Sequence, residues 1–248
     1  MTELAYLADT DAAYVQRFRA HVTARPPGGV VLDRTFFYPT GGGQPSDRGT
    51  LAFDGTVVPV EDVTKSGSAV VHRLGRPPGG GGPRVGVGAE VDGGIDWPRR
   101  FRHMRLHTGQ HLLSARIFTL TQRRTRRAEF GGVVGYVDLD GEWPAGVELE
   151  AVAEDVNRLV RDGRTVRVVH VDRADWERSP DPRSGLVPLP KHLEQVRLIA
   201  IDGLDRCPCG GTHTRSTAEV GPMALSRAAG SARIVFTLGV DAPPTPSG

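Results

Sequence analysis

The pattern of hydrophobic residues changes near residue 96, and this change constrains the fold more than any other feature of the chain. Before it, short runs rich in β-formers alternate with glycine and proline, at residues 29–32, 35–38, 51–60 and 69–74. Strand-sized runs with frequent breaks predict a small β-barrel or β-sandwich. After it, longer segments carry apolar residues at helical spacing. The chain is therefore expected to form two domains.

The second segment is predicted to be an α+β domain. Asp96, Trp97 and Pro98 indicate a helix start, because an acidic cap and a proline in the first turn favour one. This helix is expected to continue to about Arg124, and a second helix is expected from Gly146 to Asp162, with Gly163 as its stop. Strands are predicted at residues 132–139, 165–171, 196–201 and 233–238. Strands and helices in this order predict a sheet with helices packed on one face.

The predicted domains are residues 1–96 for the barrel, 97–240 for the α+β domain and 241–248 for a disordered tail. The Gly- and Pro-rich run at 76–88 is predicted to be a flexible loop. With 38% hydrophobic residues and a net charge of +2, the chain of 248 residues has the composition of a globular protein and not of a polycation.

The apolar runs, the N-terminal segment and the cysteines indicate the cellular compartment. No run of 18 apolar residues occurs, and the acidic N-terminal segment is unlike a secretory signal, so no membrane span is expected. The two cysteines, Cys207 and Cys209, are separated by one residue and are too close for a comfortable structural disulfide. We therefore expect a reduced, cytoplasmic protein that uses cysteine for chemistry or for a metal.

Two arginine clusters stand out against this near-neutral background. One comprises Arg99, Arg100, Arg102 and Arg105, and the other comprises Arg123, Arg124, Arg126 and Arg127. Such clusters suit a phosphate-bearing partner, although a solvated face is the alternative that a charge run alone favours.

A candidate metal site begins with His107 and His111, which are four residues apart on the first predicted helix. Residues at this spacing lie on one helix face, so both imidazoles can reach one divalent ion. Paired histidines on a helix are often not ligands, and this pair alone does not decide the question.

A second pair strengthens the metal interpretation. Cys209 and His213 are also four residues apart, and Gly210 and Gly211 between them allow the sharp backbone turn that would bring both side chains to one centre. Three imidazoles and one thiolate suit tetrahedral zinc. Cys207 is the competing ligand, but it lacks the adjacent Gly-Gly hinge. A pair on a long helix and a pair in a distant loop favour a catalytic over a structural zinc.

These residues also carry a family resemblance. The sequences HTGQHLL (107–113) and CGGTH (209–213) resemble the paired metal motifs of alanyl-tRNA synthetase editing domains and of the free-standing AlaX proteins. LDRTFFYPTGGGQPSDRG (32–49) is similar to the Gly-rich element of the β-barrel that precedes the editing domain in the longer AlaX proteins. The segments 196–221 and 233–238 resemble the strand, metal loop and closing strand of that domain, so the likeness covers roughly residues 28–238.

The resemblance implies a zinc-dependent hydrolase that removes serine, and in some members glycine, from the 3′ end of mischarged alanine tRNA. Editing would act in trans and without ATP, since no aminoacylation domain fits in this length, and a monomer with one Zn²⁺ per chain is expected. The metal and catalytic residues carry over to His107, His111, Cys209 and His213. The residues expected to contact substrate are Gln44, Thr108, Gln110, Thr212 and Thr217. For Gln44, a tight turn at Gly41–Gly43 is the alternative to a binding loop.

Two departures and three alternatives accompany this prediction. One departure is Arg215, where the family is more apolar, and little consequence is expected from it. The family tends to carry a polar, histidine-like position after the first helix, where this chain has Gly131 within AEFGG (128–132), and this puts selectivity for serine in question. The alternatives are an RNA-binding module with a structural zinc, an editing hydrolase for another tRNA such as Ser-tRNA(Thr), and a paralogue that binds without cleaving.

Overall fold

The computed structural model describes residues 1–77, 85–178, 189 and 193–239. Within it the chain divides into two compact units, the first ending at Phe101 and the second beginning at Arg102. The domain boundary predicted after residue 96 stays a prediction. The predicted tail at 241–248, and most of the predicted loop at 76–88, lie outside the described residues.

The first unit is built from short strands. They are β1 (Glu3–Leu4), β2 (Arg17–Ala24), β3 (Gly29–Leu32), β4 (Arg34–Thr35), β5 (Gly49–Phe53), β6 (Thr56–Ser66), β7 (Ala69–Leu74) and β8 (Glu90–Ile95). Six of these form a closed barrel in the order β2-β3-β7-β6-β5-β8, with neighbouring strands antiparallel. The predicted barrel is thus confirmed, and β1 and β4 form a separate parallel pair.

The barrel interior follows from alternation along the strands. In β2, Phe18, Ala20 and Val22 are buried, while the arginine, histidine and threonine residues between them face outward. This period of two is what a half-buried strand requires. The interior is completed by apolar side chains from the other strands, among them Val30, Leu32, Leu51, Val60, Val63, Val70 and Val91.

Two predicted strand runs in this unit were wrong in extent. The run at 51–60 is two strands, because Asp54 and Gly55 both have positive φ and form the tight turn between β5 and β6. The run at 35–38 keeps only Thr35 in a strand, and the Tyr38 N–H donates to the Asp47 carboxylate.

The second unit contains the helices α1 (Trp97–Thr121, which begins in the first unit), α2 (Leu149–Arg161) and α3 (Arg173–Arg178). Its strands are β9 (Thr125–Gly131), β10 (Val134–Leu139), β11 (Val166–Asp172), β12 (Gln195–Ile201), β13 (Asp205–Pro208), β14 (Met223–Ser226) and β15 (Arg233–Leu238). We predicted one sheet, but these strands form two, β14-β15-β10-β9 and β11-β12-β13.

One hydrophobic core joins α1 and α2 to both sheets of this unit. On α2, the buried residues Val152, Val156, Leu159 and Val160 form the apolar stripe of an amphipathic helix. On α1, Leu106, Leu112, Leu113 and Ile117 are fully buried in the same core. The predicted start of α1 is confirmed, since the Arg99 N–H donates to the Asp96 carboxylate over 3.2 Å.

Candidate metal centre

Two ligands of the candidate centre are positioned by α1. His107 and His111 are one turn apart, both are buried, and their ring centroids are 5.4 Å apart. Gly109 between them faces the core, where an added Cβ would lie 3.2 Å from the Met223 sulfur. The missing side chain therefore lets this turn of the helix pack closely on the residues beneath it.

The other two ligands lie in the loop that follows β13. The Cys209 N–H donates to the Arg197 carbonyl of β12 over 3.2 Å, and the Arg197 guanidinium donates to the Cys209 carbonyl. The Gly211 N–H points at the Cys209 sulfur from 3.3 Å. These bonds hold the loop so that Cys209 and His213 face the same point.

The four side chains converge on one centre. Their candidate ligand atoms all lie within 4.8 Å of one another. The Cys209 sulfur is 3.3 Å from Nε2 of His107 and 3.3 Å from Nε2 of His213. Ligands at ordinary Zn–N and Zn–S bond lengths in a tetrahedron are about 3.3–3.6 Å apart. The two distances from the Cys209 sulfur match this spacing, so the cluster could hold a metal ion. Cys207 is not part of this group.

Further residues fix the imidazole rings. Nδ1 of His213 lies 3.2 Å from the Thr108 hydroxyl, which also accepts a hydrogen bond from the Thr214 N–H. Nδ1 of His111 lies 2.8 Å from a carboxylate oxygen of Asp205. The ring of Phe130 packs on that of His107, with 4.8 Å between the ring centroids.

The charges within the cluster prepare it for a cation. Burial disfavours the Cys209 thiolate, but His107 and His213 outweigh burial and hold the pKa of the thiol well below its ordinary value. Burial, together with His107, lowers the pKa of His213 well below its ordinary value. Burial also opposes charge on His111, yet Asp205 and Cys209 raise its pKa to about 10. A metal ion binding here would therefore displace a proton from His111.

The predicted substrate contacts fall in different places. Thr108 and Thr212 are fully buried within the two metal motifs. The half-buried Gln110 side-chain amide donates to the Ser114 hydroxyl over 2.8 Å. The Thr217 hydroxyl donates to the Leu159 carbonyl and accepts from the Arg164 N–H. Substrate contact by these residues stays a prediction.

The GGGQ element is a tight turn in the first unit. Gly42 and Gly43 both have positive φ, and the backbones of Gly41 and Gln44 bond to each other at 3.1 and 2.9 Å. This is the geometry of a two-residue hairpin turn, which favours glycine at both central positions. The Gln44 side chain is buried, and its predicted contact with substrate stays a prediction.

The first arginine cluster is largely structural. Arg100 is fully buried and pairs with Asp47, and Arg105 donates to the carbonyls of Val220 and Gly239. For these two, both the phosphate-binding and the solvated-face interpretations were wrong. In the second cluster, Arg127 is exposed and bonds to Glu129.

Sequence reasoning missed two residues at the centre, Asp205 and Phe130. An acidic residue four positions before the metal-loop cysteine was the available signal for Asp205. Phe130 precedes Gly131, the departure noted above, which is exposed at the end of β9 with open space where a Cβ would stand.

In the part of the chain that the structure describes, α1 is the longest helix, and none of the helices has the length and apolar character needed to span a bilayer.

Comparison of the sequence with known proteins assigns the chain to a family. Residues 8–99 match the family model for class II (A) tRNA synthetases, and residues 196–234 match the second additional domain of threonyl- and alanyl-tRNA synthetases. The alanine–tRNA ligase of Pyrococcus abyssi is 34% identical over 91% of this chain, and the chain spans only 25% of that ligase.

Shorter relatives match along most or nearly all of their length. The alanyl-tRNA editing protein AlaX-M of Methanosarcina acetivorans is 31% identical, with 96% of this chain and 99% of that protein aligned. The AlaX-M protein of Methanosarcina mazei is 32% identical, with 89% and 88% aligned. This similarity, with both metal motifs in place, shows that the chain belongs to the AlaX-M family of alanyl-tRNA editing proteins.

Proposed function

We propose that this protein is a zinc-dependent aminoacyl-tRNA deacylase that cleaves the seryl ester of Ser-tRNA(Ala) in trans. The observation that carries the proposal is the cluster of the buried His107, His111 and His213 with the half-buried Cys209, in a chain of this family. The tRNA is contacted through its acceptor end, where the ester lies. The monomeric state and the cytoplasmic location stay predictions from the sequence.

Zinc is the metal that the donor set favours. Three imidazole nitrogens and one thiolate are typical zinc ligands, whereas magnesium and calcium prefer oxygen. Bound zinc would supply a Lewis acid able to polarise an ester carbonyl and to make water a better nucleophile.

The side chains of the protein define what else the site does. Thr108 and Asp205 hold two imidazoles in fixed orientations, and Phe130 covers one side of His107 and limits the access of water there. Ser114 is half-buried and bonded to Gln110 and Thr125, neither of which is a base, so a serine nucleophile has little support.

Selectivity for serine over alanine would come from a hydrogen bond to the extra hydroxyl. A polar pocket discriminates strongly in this direction, because alanine would leave its buried groups without a partner. Thr108 is the better candidate of the two threonines, since the Thr217 hydroxyl already donates to a backbone carbonyl.

The test is release of labelled serine from Ser-tRNA(Ala), with Ala-tRNA(Ala) as the control substrate. Chelation, the double substitution His107→Ala/His111→Ala, and Cys209→Ser should each reduce serine release by at least about 100-fold, the scale expected of a metal that lowers the barrier by several kcal/mol. Cys207→Ser is the matched control and should cleave like the unchanged protein, because Cys207 is outside the cluster.

Three results would contradict the proposal. Serine release that persists after chelation would exclude metal-dependent hydrolysis. Tight tRNA binding without cleavage, with unfolding on chelation, would favour the RNA-binding module with a structural zinc. Faster cleavage of Ser-tRNA(Thr) would reassign the substrate.

A further inference from the structure

Asp205 is a buried carboxylate directed at a candidate metal ligand. It begins β13, where it pairs with Ile201 of β12, and its side chain is 5% exposed. One of its carboxylate oxygens lies 2.8 Å from Nδ1 of His111 on α1, 94 positions earlier in the chain. A charged group is rarely buried to this extent without a specific partner.

This contact decides which nitrogen of His111 is available to bind a metal ion. A carboxylate oxygen can only accept, so Nδ1 carries the proton and donates to Asp205. Nε2 is then the nitrogen left for the cluster, where His111 also interacts with Cys209. We propose that Asp205 is a positioning residue of the metal centre, which fixes the tautomer and ring orientation of His111 and supplies a negative charge beside the ion.

The role rests on the proposed metal site, and His213 offers an internal comparison. Nε2 of His213 faces the Cys209 sulfur at 3.3 Å, and Nδ1 lies 3.2 Å from the Thr108 hydroxyl. Both imidazoles thus have Nδ1 held by a neighbouring side chain. The partner is neutral for His213 and charged for His111, so the two partners cannot have the same electrostatic effect.

Charge balance supports the assignment of a carboxylate here. A divalent cation bound by three neutral imidazoles and one thiolate leaves a net charge of +1 in a buried site, and a net charge in such a site is costly. The Asp205 carboxylate brings the sum to zero. A carboxylate on the far nitrogen also makes the imidazole a stronger ligand, and loss of such a partner typically costs 10–100-fold in metal affinity.

The experiment measures metal binding and not only activity. Chelated protein is titrated with Zn²⁺ against a chromophoric chelator and with Co²⁺, whose visible spectrum reports ligand geometry. Asp205→Ala removes both the charge and the hydrogen bond, whereas Asp205→Asn removes the charge and keeps an acceptor oxygen. Asp202→Asn is the matched control, because Asp202 is exposed and pairs with Arg167.

We expect Asp205→Ala to weaken Zn²⁺ binding by about 10–100-fold and to change the Co²⁺ spectrum, with Asp205→Asn intermediate and Asp202→Asn unchanged. Nitrogen-15 spectra of the metal-bound histidines should show the Nδ1–H tautomer of His111 in the unchanged protein. They should show a changed His111 signal in Asp205→Ala. If Asp205 only stabilised the fold, its substitution would leave the Co²⁺ spectrum and the His111 tautomer of the metal-bound protein unchanged.

The result that overturns the inference is unchanged Zn²⁺ affinity and Co²⁺ spectrum in both Asp205 variants. If Asp205→Ala does not fold, Asp205→Asn decides by the same criteria. Failure of the proposed function is separate. The inference stands and the deacylase proposal fails if the unsubstituted protein binds metal and cleaves no ester, while the Asp205 variants bind metal more weakly. Both the inference and the deacylase proposal fail if the unsubstituted protein binds no metal.

Discussion

Acidification should destabilise the barrel through one residue, His72. This histidine lies on β7 with its side chain fully buried, Nε2 is 2.8 Å from the Thr35 hydroxyl, and Nδ1 is 3.3 Å from the Val30 carbonyl. The carbonyl can only accept, so Nδ1 carries the proton and the Thr35 hydroxyl donates to Nε2. The native barrel is thus arranged around the neutral ring.

The size of the effect follows from the pKa. Burial lowers the pKa of His72 from 6.5 to about 4. Below pH 6.5 the unfolded chain binds a proton that the folded barrel does not, so this stabilisation is complete above pH 6.5 and is lost as the pH falls towards 4. A pKa difference of about 2.5, at about 1.4 kcal/mol for each pKa unit, corresponds to roughly 3 kcal/mol.

Urea unfolding at a series of pH values tests this prediction. Trp97 packs on Tyr14 within the first unit, so its fluorescence reports that unit once Trp143 and Trp176 are replaced by phenylalanine. His72→Gln in the same background keeps a polar side chain that does not titrate. The difference between the two proteins removes contributions from other groups, including the metal cluster.

The unchanged His72 protein should lose stability relative to His72→Gln as the pH falls from 6.5 to 4, by up to about 3 kcal/mol. Parallel curves for the two proteins across this interval would refute the reasoning. So would a directly measured His72 titration, by proton NMR of the ring, with a midpoint near 6.5.

Two further predictions concern substitutions at buried positions, one in an ion pair and one in a packed sheet. Arg100→Met should reduce the free energy of unfolding by about 3–5 kcal/mol, because it leaves the Asp47 carboxylate buried without its guanidinium. Urea denaturation measures this loss, and a cost below about 1 kcal/mol would show that the pair contributes little. Gly135→Ala should cost about 1–3 kcal/mol, because its Cβ would lie 2.3 Å from the buried Phe236 ring. Gly131→Ala, with open space at its Cβ, is the control for thermal unfolding, and equal losses in both variants would contradict the packing argument.

Local patterns predicted much of the fold. The bounds predicted for β3, β7 and β15 match the structure, because each is a β-branched run between turn residues. β2 was missed although its residues alternate cleanly between the inside and outside of the barrel. β8 was missed because its two glycines weaken the strand pattern, and only its pairing with β2 and β5 supports it.

The candidate site divides in the same way. Two ligand pairs at a spacing of four can be seen in the sequence, because a helix turn and a Gly-Gly hinge are local features. The contact of Asp205 with His111 joins a strand to a helix across the core, and no local pattern encodes it. Arg100 shows the same limit, since its burial depends on Asp47, 53 positions away.

The separation of the two ligand pairs has a consequence for biosynthesis. Cys209 follows His107 by 102 positions, so a chain emerging from the ribosome presents two histidines long before the thiolate and third imidazole exist. A chain that stops before residue 209 offers half of the donors and holds a metal ion poorly. If the cluster holds a metal ion as proposed, tight capture must wait until translation has passed His213 and the second unit has folded. Metal content would then distinguish completed molecules from truncated or unfolded ones.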